Sequence, residues 1–522
     1  MTHLYEHDPN PSVILVQAEP PAPSHAHYGR ALMLVLLLLV AGAARLPRLE
    51  GRLADLDSWR QTDTASIAHL FLDEPNILYP RVFWGKGPGY VEAEFQLYPY
   101  VVSLIYRIAG ENPLYGRWLS IALALGSIAL LYKIARQYLP PLPSYAAAAF
   151  FAFAPVYFRY SRQFMPEAAV VFFYLLALER FLVFLRQDTW PHIMQAALAM
   201  CLAILIKPTS IHLGLALVIL SFHKYGRRAF FNRKLMAYAA ISLIPSAMYY
   251  IHAMGLFFTY GNTFGVIAGG DSKWTSLHQF LSVNFYWQIL RMSLLQTVGV
   301  IGALLTLIGF SLRLGREWRP VMWAWLISFG VYCLLLGRST GDEGRGLQYH
   351  VFAAPLMSLA AAASLLPLFR SPKRYAPVAA AVLCLFVLGV QLRQDHDILT
   401  RRIDLFQYDA GIRLAQLSRP DEKVIVLSRD PVIDHGRQNN FEEPKVFFYA
   451  KRWGRSLGFD QQNGQALNEL MATGPQWFVN FPAFNKSADP SYFAAISSRM
   501  QLAARGRGYE IYRMLPSGGR HV

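Results

Sequence analysis

Long apolar runs separated by short charged loops make up most of the 522-residue chain. The first run covers 31–46. Others cover 114–137, 143–160, 166–186, 191–208, 211–223, 235–255, 288–313, 321–337, 349–369 and 376–392. A helix needs roughly 20 apolar residues to cross a bilayer, so the pattern predicts a polytopic α-helical membrane protein of about eleven spans, within a range of about ten to thirteen. Several runs are shorter than that, which predicts tilted spans or breaks near Pro208 and Pro245. Residues 97–110, bounded by Pro99 and Gly110, read as a helix along the membrane surface. Residues 1–29 are polar and rich in Pro and His, which predicts a disordered cytoplasmic N-terminus. After 394 the pattern changes. KVIVLS (423–428) and WFVNF (477–481) read as strands, and 403–418, 463–473 and 491–503 as helices. The chain thus divides into a membrane module over 30–393 and a small α/β domain over 394–522.

Charge orients the spans. Lys133 and Arg136 follow one run, and Lys224, Arg227, Arg228, Arg233 and Lys234 another. Arg313, Arg316 and Arg319 follow a third, and Arg370, Lys373 and Arg374 a fourth. The positive-inside bias places all four clusters in the cytoplasm. The loops 47–95, 159–165, 256–287 and 338–348 and the C-terminal domain then lie outside. The net charge of +16 would point to nucleic acid in a soluble protein, but these cations sit in loops between spans. Composition agrees: 54% hydrophobic and 16% charged, against about 25% charged in soluble domains. Cys201, Cys333 and Cys384 each fall inside an apolar run and offer neither a metal set nor a disulfide framework.

Chemistry-bearing residues gather in the predicted outer segments. The stretch ADLDSWRQTDTASIAHLF (54–71) holds Asp55, Asp57, Asp63 and Arg60. Ile67, Leu70 and Phe71 recur at helical spacing, so a short amphipathic helix on the membrane is expected, with the acids at its start. Thr62 or Asp63 could simply cap that helix. The chemical reading is a general base, because a sugar hydroxyl is a weak nucleophile until a carboxylate takes its proton. A second patch, YFRYSRQFMPEAAVVFF (157–173), carries Arg159, Arg162 and Glu167. Pro166 followed by Glu167 is ordinary helix-start chemistry. Arginines on the outer side run against the charge bias, however, and suit a phosphate leaving group. Lys86 lies in GKGPGY, Glu94 opens EFQLYPYVVSLIY, Lys207 closes a span in IKPTS, and Arg345, Tyr349 and His350 sit in GRGLQYH at the start of a late span. Lys86 and Lys207 are further candidates for gripping phosphate. Arg60, Glu94, Tyr349 and His350 are candidates for lining the substrate, although a lone His there is more often structural.

Five stretches together resemble the GT-C glycosyltransferases, in the bacterial group (family 39-like) of protein O-mannosyltransferases and the lipid A aminoarabinose transferase. They are WRQTDTASIA, EFQLYPYVVSLIYRIAG, RYSRQFMPEAAVVFFYLLAL, LQYHVFAAPLMSLAAA and PKVFFYAKRWGRSL. The resemblance implies a polyprenyl-phosphate sugar donor, such as an undecaprenyl or decaprenyl form, and an inverting single displacement. It also implies a bacterial inner-membrane location with the active site on the periplasmic side. The family uses an acid of the first outer loop. The matching stretch offers Asp57, with Asp55 and Asp63 nearby, and lacks the usual Asp-Glu pair. The second family acid matches Glu167. Some members hold a divalent metal (Mg or Mn) near these acids, so such an ion is a candidate cofactor. The family's phosphate-gripping Lys is missing from EFQLYP, and the role passes to Lys86, Arg159 or Arg162.

Two competing readings remain at this level. A ligase or polymerase of lipid-linked oligosaccharides would use the same outer acids. A transporter or flippase would more often show internal repeats and mid-membrane ionisable groups, and neither is evident. The absence of a GxGxxG stretch before the spans agrees with a donor that is not a nucleotide.

Overall fold

The computed structural model describes residues 24–269, 273–312, 314–341, 346–401, 405–434 and 437–515. Most of the segment expected to be disordered, and Arg345, lie outside these residues. The first ten helices are α1 Ser24–Ala44, α2 Ser58–Asp73, α3 Leu97–Ala109, α4 Leu114–Arg136, α5 Pro141–Ala152, α6 Pro155–Tyr160, α7 Glu167–Gln187, α8 Trp190–Ile206, α9 Leu213–Tyr225 and α10 Arg233–Tyr260. Seven helices among the described residues are long and apolar enough to cross a membrane: α4, α7, α10, Val283–Ser311, Glu317–Leu335, Leu347–Arg370 and Ala376–Thr400. Tyr28–Ala44, α3 and α8 are shorter apolar helices. The protein is a multi-pass membrane protein.

The seven long helices number fewer than the predicted spans because several apolar runs are broken. The run 143–160 splits into α5 and α6. Pro155 holds Ala154 extended (ψ 115°), away from helical geometry. The runs on either side of Pro208 separate at Lys207, which is also extended (φ −154°, ψ 108°). At Pro245 the expected break does not occur: α10 runs through it from an Asn232 cap to Gly261.

Helix α3 buries Tyr98, Val102 and Tyr106 along one face, at the four-residue spacing of an amphipathic helix. Helix α2 differs from expectation twice. It begins at Ser58, so neither Thr62 nor Asp63 caps it, and Asp57 occupies the N-cap position at φ 59° with no side-chain cap bond. Nor is its polar face exposed, because residues Gln61–Ala68 are all buried. It is packed between α3 and the helix Pro444–Ala450 of the C-terminal domain. The Trp59 indole N–H donates to the Glu442 carbonyl at 2.6 Å.

The last span runs to Thr400, past the predicted boundary at 394. The domain beyond it holds β1 Val424–Leu427, β2 Ile433–Asp434, β3 Arg437–Gln438, β4 Gly454–Leu457, β5 Trp477–Asn480, β6 Met500–Gly506 and β7 Tyr509–Met514. Five strands form one sheet in the order β4-β1-β5-β7-β6, parallel from β4 to β5 and antiparallel beyond. The helix predicted over 491–503 stops at Arg499, where Met500 enters the β6–β7 pairing. Strand β4 is an edge, and the first loop covers it: Gly454 N–H donates to the Phe83 carbonyl at 3.0 Å. Gly89 (φ +84°) allows this approach, since a Cβ there would lie 2.4 Å from the Trp453 ring. Ile67, Phe71, Val82, Phe83 and Trp84 accordingly share one apolar core with the sheet residues Ile425, Val426, Phe478 and Val479.

Candidate active site

The turn that delivers Asp57 to α2 aims its carboxylate at the α6–α7 connection. Arg159, at the end of α6, grips both oxygens: Nε donates to Oδ2 and Nη2 to Oδ1, each at 2.8 Å. Gln163 Nε2 adds a bond to Oδ2 at 2.9 Å. Such a fork fixes the carboxylate plane as well as its position. Asp57 and Arg159 each remain about one-fifth exposed (20% and 19%), so this pair faces solvent space. Asp55 is held differently. It accepts from Arg117 Nη2 and Gln61 Nε2, each at 2.6 Å. Gln61 Oε1 in turn accepts from the Phe164 N–H at 2.9 Å, which ties the first loop to the turn before α7.

A second group of charges surrounds Glu94. Arg60 Nη2 donates to Glu94 Oε2 at 2.9 Å and stacks its guanidinium 5.0 Å from the Phe264 ring. Burial alone would push the Glu94 carboxyl up, but Arg60, ahead of Lys273 and Lys207, holds it below its ordinary value. Asp63 lies on the same side of α2, 1% exposed, and accepts from the Trp84 indole N–H at 2.9 Å while its Oδ2 has no partner. Burial pushes the Asp63 carboxyl up to about 7, against the opposing pull of Trp84 and Arg60. Glu442 of the C-terminal domain is raised to about 8, by burial first and also by the charge of Asp63.

Glu94 also lines the larger cavity, of about 660 Å³. Its walls are mostly apolar and include Ile211, Leu215, Val331, Leu335 and Trp274, and Lys207, Lys273 and Glu94 line it as well. Lys207 lies where the chain leaves α8. It donates to Glu167 Oε1 at 2.9 Å, with both side chains nearly buried (7% and 3% exposed), and sits 4.8 Å over the Tyr349 ring. Glu167 opens α7, and its other oxygen has no partner.

The sequence-derived candidates therefore divide. Lys207, Glu94 and Tyr349 line the apolar cavity. Asp57 and Asp55 belong to the arginine-bound group, and Arg159 and Arg162 line a separate cavity beside them. Arg162 turns inward, donating to the carbonyls of Arg45 at 3.0 Å and Pro47. Lys86 is not brought to the apolar cavity. Its N–H is bonded to Asn262 and its side chain lines another space with Lys423, Trp453 and Arg455. His350 is fully buried, between Ser293 Oγ and the Thr340 carbonyl at 2.8 Å each, which is a structural position. Sequence reasoning missed Lys273, Gln163 and Arg117. Only an Arg at the start of a span, as Arg117 is, offered a signal.

Among the described residues no three of His, Cys, Asp and Glu gather as a ligand set. Asp55, Asp57, Glu94 and Glu167 are each bound to an Arg or a Lys instead.

Comparison with known proteins places this geometry in context. The family model described as dolichyl-phosphate-mannose-protein mannosyltransferase matches residues 96–252. ArnT from Cupriavidus metallidurans bound to undecaprenyl phosphate superposes with a TM-score of 0.62 at 14% identity, covering 94% of this chain and 99% of that one. The chain has the GT-C fold. The oligosaccharyltransferase of Archaeoglobus fulgidus gives a TM-score of 0.58 at 14% identity, over 91% of this chain and 73% of that one. The mycobacterial arabinofuranosyltransferase AftD gives 0.56 at 14% identity, over 94% of this chain and 40% of that one. No curated protein sequence matches the chain. At these identities the GT-C likeness is one of architecture.

Proposed function

We propose that this GT-C-fold protein is an integral membrane glycosyltransferase that moves a sugar from a polyprenyl-phosphate carrier to an acceptor at the outer face of a bacterial inner membrane. The observation that carries this reading is the 660 Å³ cavity, whose walls are mostly apolar and which Lys207 and Lys273 also line. A prenyl chain is apolar and its phosphate is anionic, so one cavity suits both parts. ArnT, which shares the architecture, was solved with undecaprenyl phosphate bound.

In this reading the carrier's phosphate sits against Lys207 and Lys273, which stabilise the charge that develops as the glycosidic bond breaks. Asp57 takes the proton of an acceptor hydroxyl as it attacks the anomeric carbon from the opposite side. Arg159 and Gln163 fix the orientation of its carboxylate. Glu94 and Glu167 hold the cations in place and keep the buried charge balanced. A single displacement of this kind inverts the anomeric centre.

The experiment is incubation of the purified protein in lipid nanodiscs with a panel of radiolabelled polyprenyl-phosphate sugars and a bacterial lipid and glycan extract. Mass analysis of the labelled product would name both sugar and acceptor. Release of polyprenyl phosphate with label in a new product is expected. Movement of an intact donor between leaflets, with no bond cleaved, would replace the transferase with a transporter.

A further inference from the structure

Beside Asp57, and sharing no lining residue with the apolar cavity, lies a second space of about 270 Å³ whose lining is dominated by arginine. Arg48, Arg52, Arg117, Arg159, Arg162 and Arg401 all face it, against only two carboxylates, Glu50 and Asp55. Three of the guanidiniums have an acidic partner. Arg159 holds Asp57, Arg117 holds Asp55 at 2.6 Å, and Arg52 pairs with the exposed Glu50 at 3.0 Å. The other three do not among the described residues. Arg162 is 5% exposed and its only bonds are to the carbonyls of Arg45 and Pro47. Arg48 donates to the Leu399 carbonyl at 3.1 Å. Arg401 follows the end of the last span.

Backbone carbonyls orient a guanidinium but do not neutralise it. Arg48 and Arg401 are exposed, but Arg162 is buried, and a buried cation left in that state costs free energy unless an anion completes it. Burial holds the Arg162 guanidinium down, to about 10, even with Asp55 nearby. The cavity also has a particular address. Arg159 and Gln163, which line it, are the two residues that hold Asp57, so a molecule seated there touches the same side chains as the proposed base. Arg48, Arg52 and Arg401 fall outside the stretch that the mannosyltransferase family model matches. The surplus charge is thus built partly from the first loop and the end of the last span.

We propose that the arginine cavity binds the acceptor, and that the acceptor is an acidic saccharide whose phosphate or carboxylate group is seated by Arg162, Arg48 and Arg401. This rests on the transferase reading for the word acceptor; the anion site itself does not. Arginine forks match the planar oxygens of both groups. The anionic group anchors the saccharide, and a neighbouring hydroxyl is left to face Asp57. The acidic group can be carried by a soluble glycan or by a lipid headgroup, since Ile398, Leu399 and Leu405 give one wall an apolar surface near the membrane end of the last span.

The test uses the full chain in nanodiscs and three soluble probes: glucose 1-phosphate, glucose and inorganic phosphate. Saturable binding of glucose 1-phosphate is expected, with none of glucose, and with affinity falling steeply as salt rises. The double variant Arg48→Gln/Arg401→Gln, which leaves every residue bonded to Asp57 in place, should weaken that binding about tenfold or more. It should leave undecaprenyl phosphate binding unchanged. Equal affinity in the variant and the parent would overturn the proposal, as would binding of inorganic phosphate as tight as that of glucose 1-phosphate. Adding phosphatidic acid to the nanodisc assigns the source. Competition supports a lipid-borne acid, and independence supports a soluble one. If undecaprenyl phosphate itself fails to bind the parent, the donor reading falls while the arginine site is still judged by the probes.

Discussion

Replacing Lys207 with Met separates what this lysine does for folding from its proposed contact with the donor. The Lys207–Glu167 pair spans 2.9 Å and is almost wholly buried. At that distance the attraction is about 6 kcal/mol for an effective dielectric of about 20, and desolvation of both ions offsets much of it. Removing one partner leaves Glu167 buried without a cation, its second oxygen already lacking a hydrogen bond. The expected loss of stability is about 3–5 kcal/mol. The double variant Glu167→Gln/Lys207→Met removes both charges and should recover most of that loss. It cannot restore the contact to the carrier's phosphate, a charge-assisted bond worth about 1.5–3 kcal/mol, or roughly a 10- to 150-fold loss of affinity. Denaturant unfolding in mixed micelles reads the first effect. Quenching of Trp274, which lines the same cavity, reads the second with undecaprenyl phosphate as titrant. The reasoning is refuted if Lys207→Met is as stable as the parent, or if the double variant regains stability and carrier affinity together.

Four other outcomes follow from the same structure. Asp57→Asn should lower the rate of transfer by about 100-fold or more with carrier binding retained, measured as labelled product per unit of bound donor. Asp63 is raised to about 7 in the fold, so the unfolded chain ionises first as pH rises. Its contribution is most favourable below about pH 4, declines between about 4 and 7, and is then flat, a swing on the order of 4 kcal/mol. Asp63→Asn should therefore raise the melting temperature at pH 8 and change it little at pH 4, with a smaller slope remaining from Glu442. Gly309→Ala should cost about 1–3 kcal/mol in the same unfolding assay, because its Cβ would lie 1.9 Å from the Ala360 carbonyl of the neighbouring helix. A membrane-impermeant maleimide should label Lys86→Cys but not Lys224→Cys in intact spheroplasts; the reverse would invert the proposed orientation.

Much of the fold was legible because membrane burial writes itself in long apolar runs. The spans with uninterrupted Leu, Ile, Val and Ala, such as those ending at Arg136 and Gln187, were read nearly to their boundaries. Proline was ambiguous. At Pro155 and Pro208 the chain breaks, yet α10 carries Pro245 without interruption. Local sequence does not say whether neighbouring helices will satisfy the freed carbonyl. Helix α2 misled for a different reason. Its periodicity showed one apolar face, but its polar residues are buried too, under a C-terminal domain nearly 400 residues away in sequence.

The site was legible in residue type and less so in grouping. Asp57 with Arg159, and Glu167 with Lys207, pair residues 102 and 40 positions apart. Charge chemistry marks each residue as a candidate but cannot assign its partner. Lys273 lay in a loop with no pattern around it. Lys86, close in sequence to the first acids, is drawn away because its loop is pinned to Asn262 and to the edge of the sheet.

That pinning has a practical consequence. A truncated protein ending after the last helix would strip Ile67, Phe71, Val82, Phe83 and Trp84 of the sheet residues that share their core, on the very segment that presents Asp57. The C-terminal domain is therefore closer to a keystone than to an appendage. Attempts to simplify the protein by trimming it should yield an aggregation-prone product rather than a smaller folded one.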